Sequence, residues 1–408
     1  MTCNALSTSS FFSYTAPSMP VSSTERLYLL SRVMLFTSFF PPGIANVNFI
    51  VHDILRLTTA HVDTILEKHS NKDVASVIRS FLDYDPIVFR NTLVIEDHAI
   101  FNTNRVTDRH IKHLPTNLKM IGFLNCDVTG ITDVRQLCMQ IKNNSCWYLT
   151  FTDCYLDLNH LDWTKIDKWG LTLSLDNCRD ISKMNWKNLK KCKNIVGLVF
   201  DGSYLGQTVP WNDLPDSLTY ISLQGCSLGD VSWKDFERLK QLRKLILTDS
   251  KEPSKVDWRH LPKSLKMVDL SGCSLDKVVV HAGIPLALEE LHLAHCDLSK
   301  GKWHALLNDQ LKILILSRCT NLDQLNWKAV QPLNVTILNI VECNPMVVDW
   351  RKFQHLDCLV MSSTHFHLIP KLPHLPSSLT QIRDETGKLR YLRTSNKKKL
   401  HLAQPRFN

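Results

Sequence analysis

One pattern recurs along most of this chain and leaves it few folds to adopt. From Leu118 onward the residues read L-x-x-L-x-L-x-x-C-x-L, with aliphatic substitutions. Leu118, Ile121, Phe123, Cys126 and Val128 make one copy; Leu218, Ile221, Leu223, Cys226 and Leu228 make a sharper one. The ninth position falls at Cys126, Cys154, Cys178, Ser203, Cys226, Ser250, Cys273, Cys296, Cys319, Cys343 and Thr364, and after one 28-residue step its spacing stays within 21 to 25. A divergent copy precedes these, with Leu93, Ile95, His98 and Ile100 standing 28 residues before the Cys126 set. Its ninth position is His98, which is not small, so its coil is expected to be distorted.

A second signature follows eight of the eleven copies. A tryptophan comes seven to nine residues past the ninth position, and an apolar residue three later, as in Trp163/Ile166, Trp186/Leu189, Trp233/Phe236, Trp258/Leu261 and Trp350/Phe353. That i, i+3 spacing predicts one turn of α- or 3₁₀-helix on the return side of a coil. Several copies then read LPTNL, LPDSL, LPKSL or LPSSL, where proline ends the turn and presets an extended start to the next strand.

A coil of about 23 residues cannot bury its own apolar face, so it gains stability only by stacking on its neighbours. Residues 90–382 resemble the leucine-rich-repeat superfamily on the motifs just quoted. The ninth-position cysteine looks like the cysteine-containing subtype of intracellular eukaryotic members. The short period and LP-x-S-L segments look more like compact arrays of unicellular eukaryotes and bacterial effectors. The resemblance implies an α/β solenoid of about 11–12 repeats, curved, with a parallel sheet on its concave side and protein binding as its usual activity. Residues 50–89 are expected to form a helical cap, since Asp73 precedes Val74, Val77, Ile78, Phe81 and Leu82 at amphipathic spacing.

Charge bears on the partner. The chain carries a formal +9, but residues 383–408 hold eight basic against two acidic residues, so the surplus belongs mainly to a C-terminal tail. Residues 1–49 are expected to be a tail, rich in Ser and Thr at first and compatible with a mitochondrial presequence. Their apolar run from Leu27 to Phe40 is broken by Arg32 and stopped by Pro41-Pro42, so no membrane span is expected.

Eight of thirteen cysteines occupy the ninth position, where an inward-turned side chain must be small; free thiols there imply a reducing, intracellular compartment, cytoplasmic or nuclear. The phased tryptophans are expected in the core, whereas Trp147 and Trp169 lie out of phase and are freer. His61/His69 and His365/His367 lack a metal-ligand arrangement, and no phosphate loop, nucleophile elbow or dinucleotide fingerprint occurs. No catalytic residue, metal or cofactor is therefore expected.

With positions four and six inward, positions three, five and seven line the concave face. Lys244 is the only formal cation among 33 such positions from Met120 to Ser362, against Asp176, Asp201, Asp269 and Glu290. A nucleic-acid surface needs a row of basic residues, so this mildly acidic, hydroxyl-rich face suits a protein or peptide instead. Its expected contact residues are Tyr148, Ser174, Asp176, Asp201, Tyr220, Ser222, Ile246, Asp269, Glu290 and His292. Two other readings stay open: an RNA- or ribosome-associated factor using the basic tail, and a substrate receptor of a ubiquitin ligase with residues 25–85 as the recruiting module.

Overall fold

The computed structural model describes residues 92–402, apart from 96–97, 102–104, 115, 117, 142–146, 179–180, 204, 206–208, 282–285, 326, 328–329 and 393–400. The expected N-terminal tail (1–49), helical cap (50–89) and recruiting module (25–85) lie outside the described residues. Thr92 opens a compact unit that continues to the C-terminus.

One sixteen-stranded sheet organises that unit. Its strands are β1 (Thr92–Ile95), β2 (His98–Phe101), β4 (Met120–Leu124), β6 (Trp147–Thr152), β7 (Leu171–Asp176), β8 (Ile195–Val199), β9 (Tyr220–Ser222) and β10 (Lys244–Ile246). They continue as β11 (Met267–Asp269), β12 (Glu290–His292), β13 (Ile313–Ile315), β14 (Ile337–Asn339), β15 (Cys358–Val360), β16 (Gln381–Arg383), β17 (Leu389–Leu392) and β18 (His401–Leu402). From β2 to β16 all neighbours are parallel, each one coil further along the chain. A small second sheet pairs β3 (Arg105–Thr107) with β5 (Asp127–Gly130).

Alternation along each strand sends positions four and six inward, where they stack in register. Ile121, Leu149, Leu173, Leu198, Ile221 and Leu245 form one buried row, and Phe123, Phe151, Leu175, Phe200, Leu223 and Leu247 form the other. At the first coils the second row is aromatic, with Phe101, Phe123 and Phe151 stacked at 5.3 and 5.0 Å between centroids. Strand β8 carries one extra residue, Val196, since Leu171 faces Ile195 but Thr172 faces Gly197. That bulge accounts for the 25-residue step between Cys178 and Ser203.

Every ninth-position thiol or hydroxyl from Cys126 to Cys343 donates to a backbone carbonyl one coil back. Cys226 reaches Phe200 O at 3.0 Å, Cys273 reaches Leu247 O at 2.9 Å and Ser250 reaches Leu223 O at 2.7 Å. Cysteine and serine share a donor as well as small size, which is why both serve there. The residue before them turns the chain in the left-handed region: Asn125, Asp153, Asn177 and Asp249 at φ 51–55°, with Gly272 at +70°. A β-carbon on Gly272 would meet Asp249 Oδ1 at 1.9 Å, so any side chain there would have to displace the Asp249 carboxylate.

On the return side Trp163, Trp211, Trp233, Trp258 and Trp350 each open a 3₁₀ turn, and Trp186 opens a short helix, Trp186–Leu189. Asp162, Asp257 and Asp349, each just before its Trp, accept the N–H two residues on and start the turn. All eight phased tryptophans are buried. Their rings fill the return side of the coils they close.

Three expectations need correction. The spacing predicts Leu93 and Ile95 at positions four and six of a distorted first coil. The register instead puts Ala99 and Phe101 there, with His98 opposite Met120, while β1 folds back antiparallel on β2. This restores a 22-residue step from Ala99 to Ile121, and the hairpin pairs an edge that would otherwise present open backbone groups. Trp147, read as out of phase and free, is only 1% exposed, because it belongs to a row with Leu171 and Ile195 at the start of the strands. Trp169 is 63% exposed. Nor does the fold stop at 382: Arg383 lies in β16, and β17 returns antiparallel to cover that edge. Asp384, 1% exposed, ties the turn by accepting from Thr386 and Lys388 N–H and from Arg390 Nε at 2.6 Å.

Candidate functional site

The strands of the sheet carry nine of the ten expected contact residues, and Asp201 follows in the turn two residues past β8. Tyr148, Thr172, Gly197, Tyr220, Lys244, Met267 and Glu290 align across successive strands, as do Ser174, Val199, Ser222, Ile246, Asp269 and His292. Accessibility along these rows is uneven. Tyr148 is 44% exposed and Lys244 is exposed, whereas Asp176, Asp201, Tyr220, Ile246, Asp269, Glu290 and His292 are half-buried. Ser174 and Ser222 are buried, so their hydroxyls serve their neighbours more than a partner. Tyr220 is half-hidden because its ring leans over Gly197, where an added β-carbon would lie 3.1 Å from Tyr220 Cδ1 and 2.7 Å from Thr172 Oγ1.

Two carboxylates sit close together on β7 and at the end of β8. Ser174 Oγ donates to Asp176 at 2.5 Å, and Ser222 Oγ and Gln224 N–H donate to Asp201 at 2.5 and 3.1 Å. Neither acid has a cationic partner among the described residues. Burial, with the charges of Asp201 and Asp153 added, pushes the Asp176 carboxyl up to about 7. Burial raises Asp201 as well, against its hydrogen bonds, and raises the phenol of Tyr220 beside them.

Three coils further on, the acids are answered from within. His292 Nε2 lies 2.8 Å from Glu290 and its Nδ1 3.3 Å from Asp269. Burial opposes the imidazolium, but these hydrogen bonds and charges outweigh it and push His292 up to about 9. Burial would raise Asp269; its bonds to His292 and the N–H of Ser271 outweigh this and hold it below the ordinary carboxylate range. Hydrogen bonding to His292 holds Glu290 low despite its burial. The reading of His292 and Asp269 as contact residues thus missed their internal pairing. The signal was present in the aligned positions of Asp269 and His292 on consecutive repeats.

Beyond β12 the face changes again. Ile313 and Ile315, then Ile337 and Val341, then Cys358 and Val360 occupy it, and Val341, Cys358 and Val360 pack together against Ile337. No charged residue stands at positions three, five or seven of these three strands.

Thirteen parallel strands one coil apart, two inward rows and a donor ladder at the ninth position leave one architecture. The fold is a leucine-rich-repeat solenoid. No family model and no curated protein matches the chain. Among solved structures it is similar to an internalin from Listeria monocytogenes, at 18% identity and a TM-score of 0.38, over 70% of this chain and 79% of that one. It is also similar to a leucine-rich-repeat protein of Leptospira interrogans, at 16% identity and a TM-score of 0.22, over 68% and 74%. At these scores the likenesses carry no argument of their own.

Arg383 and Arg390 of the expected basic tail are engaged in the C-terminal turn, Arg383 Nη1 donating to Gly387 O at 2.9 Å. Lys397, Lys398 and Lys399 lie outside the described residues, as do His61 and His69. Among the described residues, no helix is long and apolar enough to cross a membrane.

Proposed function

We propose that this solenoid is a non-catalytic scaffold or adaptor that binds a protein or peptide on the concave, open face of its sheet. The carrying observation is the pair Asp176 and Asp201: burial and the charge of Asp201 raise Asp176, burial raises Asp201, and neither has a cationic partner among the described residues. Holding carboxylates in that way costs the folded state stability, and a partner's ammonium or guanidinium would relieve it. The strands beneath are hydrogen-bonded to neighbours on both sides, and Tyr148 beside them offers an aromatic surface. The acidic face argues against nucleic acid there, which leaves RNA contact to the basic residues near the C-terminus.

Affinity capture with the full-length chain tests this, comparing wild type, an Asp176→Lys/Asp201→Lys double variant and a chain ending at residue 392. Loss of the same partners from the double variant, with an unchanged circular dichroism spectrum, supports the reading. Partners kept by the double variant but lost on truncation would replace it with the basic-tail reading.

A further inference from the structure

Resting on that open-face reading, we infer that the bound segment is polarised: a cationic end lies over β7 and β8, and an aliphatic end lies over β13 to β15. Three zones of different chemistry along one sheet support this. The first holds Asp176 and Asp201, whose charges find no counter-ion among the described residues. In the middle zone Asp269 and Glu290 clamp His292, so most of their pull is spent inside the protein. The last zone presents the half-buried Ile313 and Ile337, the latter packed on the buried Val341, Cys358 and Val360, without a charge at any outward position.

A segment laid the other way would set a cation on aliphatic side chains and apolar groups on half-buried carboxylates. Both placements lose hydration without gaining a partner, so the two orientations differ in free energy. The separation is set by the sheet. From β8 to β13 are five strand spacings of roughly 4.8 Å, or about 24 Å. An extended segment rising about 3.3 Å per residue covers that with about seven residues between its cation and its aliphatic cluster.

A random twelve-residue peptide library displayed against the full-length chain provides the test. The expected outcome is enrichment of Lys or Arg about six to eight residues from a Leu, Ile, Val or Met cluster. An Asp176→Asn/Asp201→Asn variant should weaken the selected peptides about tenfold and flatten their salt dependence. Ile337→Ser should weaken them with the salt dependence kept, and circular dichroism and urea melts confirm that both variants fold. Enriched peptides without that polarity, yet displaced by Tyr148→Ala, overturn the inference and spare the open-face reading. No enrichment, or peptides indifferent to every open-face substitution, overturns both.

Discussion

The imidazole of His292 stands 3.3 Å from the carboxylate of Asp269, one coil earlier and in exact strand register with it. Glu290, two residues before His292 on the same outward side of β12, closes the other nitrogen at 2.8 Å. Lys244 also acts on Glu290, so the group is a local charge network on an otherwise mildly acidic face.

That clamp gives stability a pH dependence with a definite sign. His292 is pushed up to about 9, so its contribution is complete below about 6.5 and lost as pH rises through about 9. Over that window the loss is on the order of 3 kcal/mol, read from urea melts. His292→Gln should remove the slope; an unchanged slope in the variant would refute the clamp. Asp269 and Glu290 are both lowered, so their share disappears only when acid protonates them, below the ordinary carboxylate range.

Asp176 should act in the opposite sense to a stabilising carboxylate. Its pKa is raised to about 7, so the folded state favours the neutral acid, and stability falls as pH climbs from about 4 to 7. Asp176→Asn should therefore stabilise the protein at pH 8, by about 2–4 kcal/mol in denaturant melts. A destabilised variant would mean that the carboxylate has a cation after all.

The tryptophans separate by burial. Trp147→Ala and Trp258→Ala should each cost about 3–5 kcal/mol, because each empties a large buried site. Trp169→Ala should stay within about 0.5 kcal/mol. Equal losses at Trp147 and Trp169 would contradict the row shared by Trp147, Leu171 and Ile195.

For the ladder thiols, both reactivity and chemistry can be read. The eleven described cysteines are buried, and burial pushes Cys226, Cys273 and Cys296 up to about 12. Native protein at pH 8.5 should resist iodoacetamide at these sites, and unreduced, unfolded protein should accept it at all three. Cys273→Ser keeps a donor for Leu247 O and should be milder than Cys273→Val by about 1 kcal/mol.

The two parts of the C-terminal segment should part company on truncation. Ending the chain at residue 392 keeps β17, Asp384 and Arg390 and removes only the two-residue strand β18 from the sheet, so it should shift the melting curve little. Ending it at 383 uncovers the β16 edge and should promote aggregation, measured by light scattering.

What the amino-acid sequence determined by itself was everything that repeats. Leu and Ile at positions four and six, a small donor at position nine and Trp-x-x-apolar on the return side each recur in phase. Stacking identical coils gives every copy the same surroundings, so one copy's logic serves all, and the outward rows could be named strand by strand. The ends and the exceptions were decided by tertiary structure. His98 was misread because an edge must be closed by whatever chain is nearest, and a hairpin does this without repeating the motif. Trp147 took a core row because β6 begins one residue early. Arg383 and Arg390 ceased to be a tail once Asp384 was buried in their turn. The face itself was legible as a list of residues but not as a pattern of charge. Whether Asp176 stays unanswered while Asp269 is neutralised depends on which side chains meet across coils, and only the packed sheet brings those within hydrogen-bonding distance.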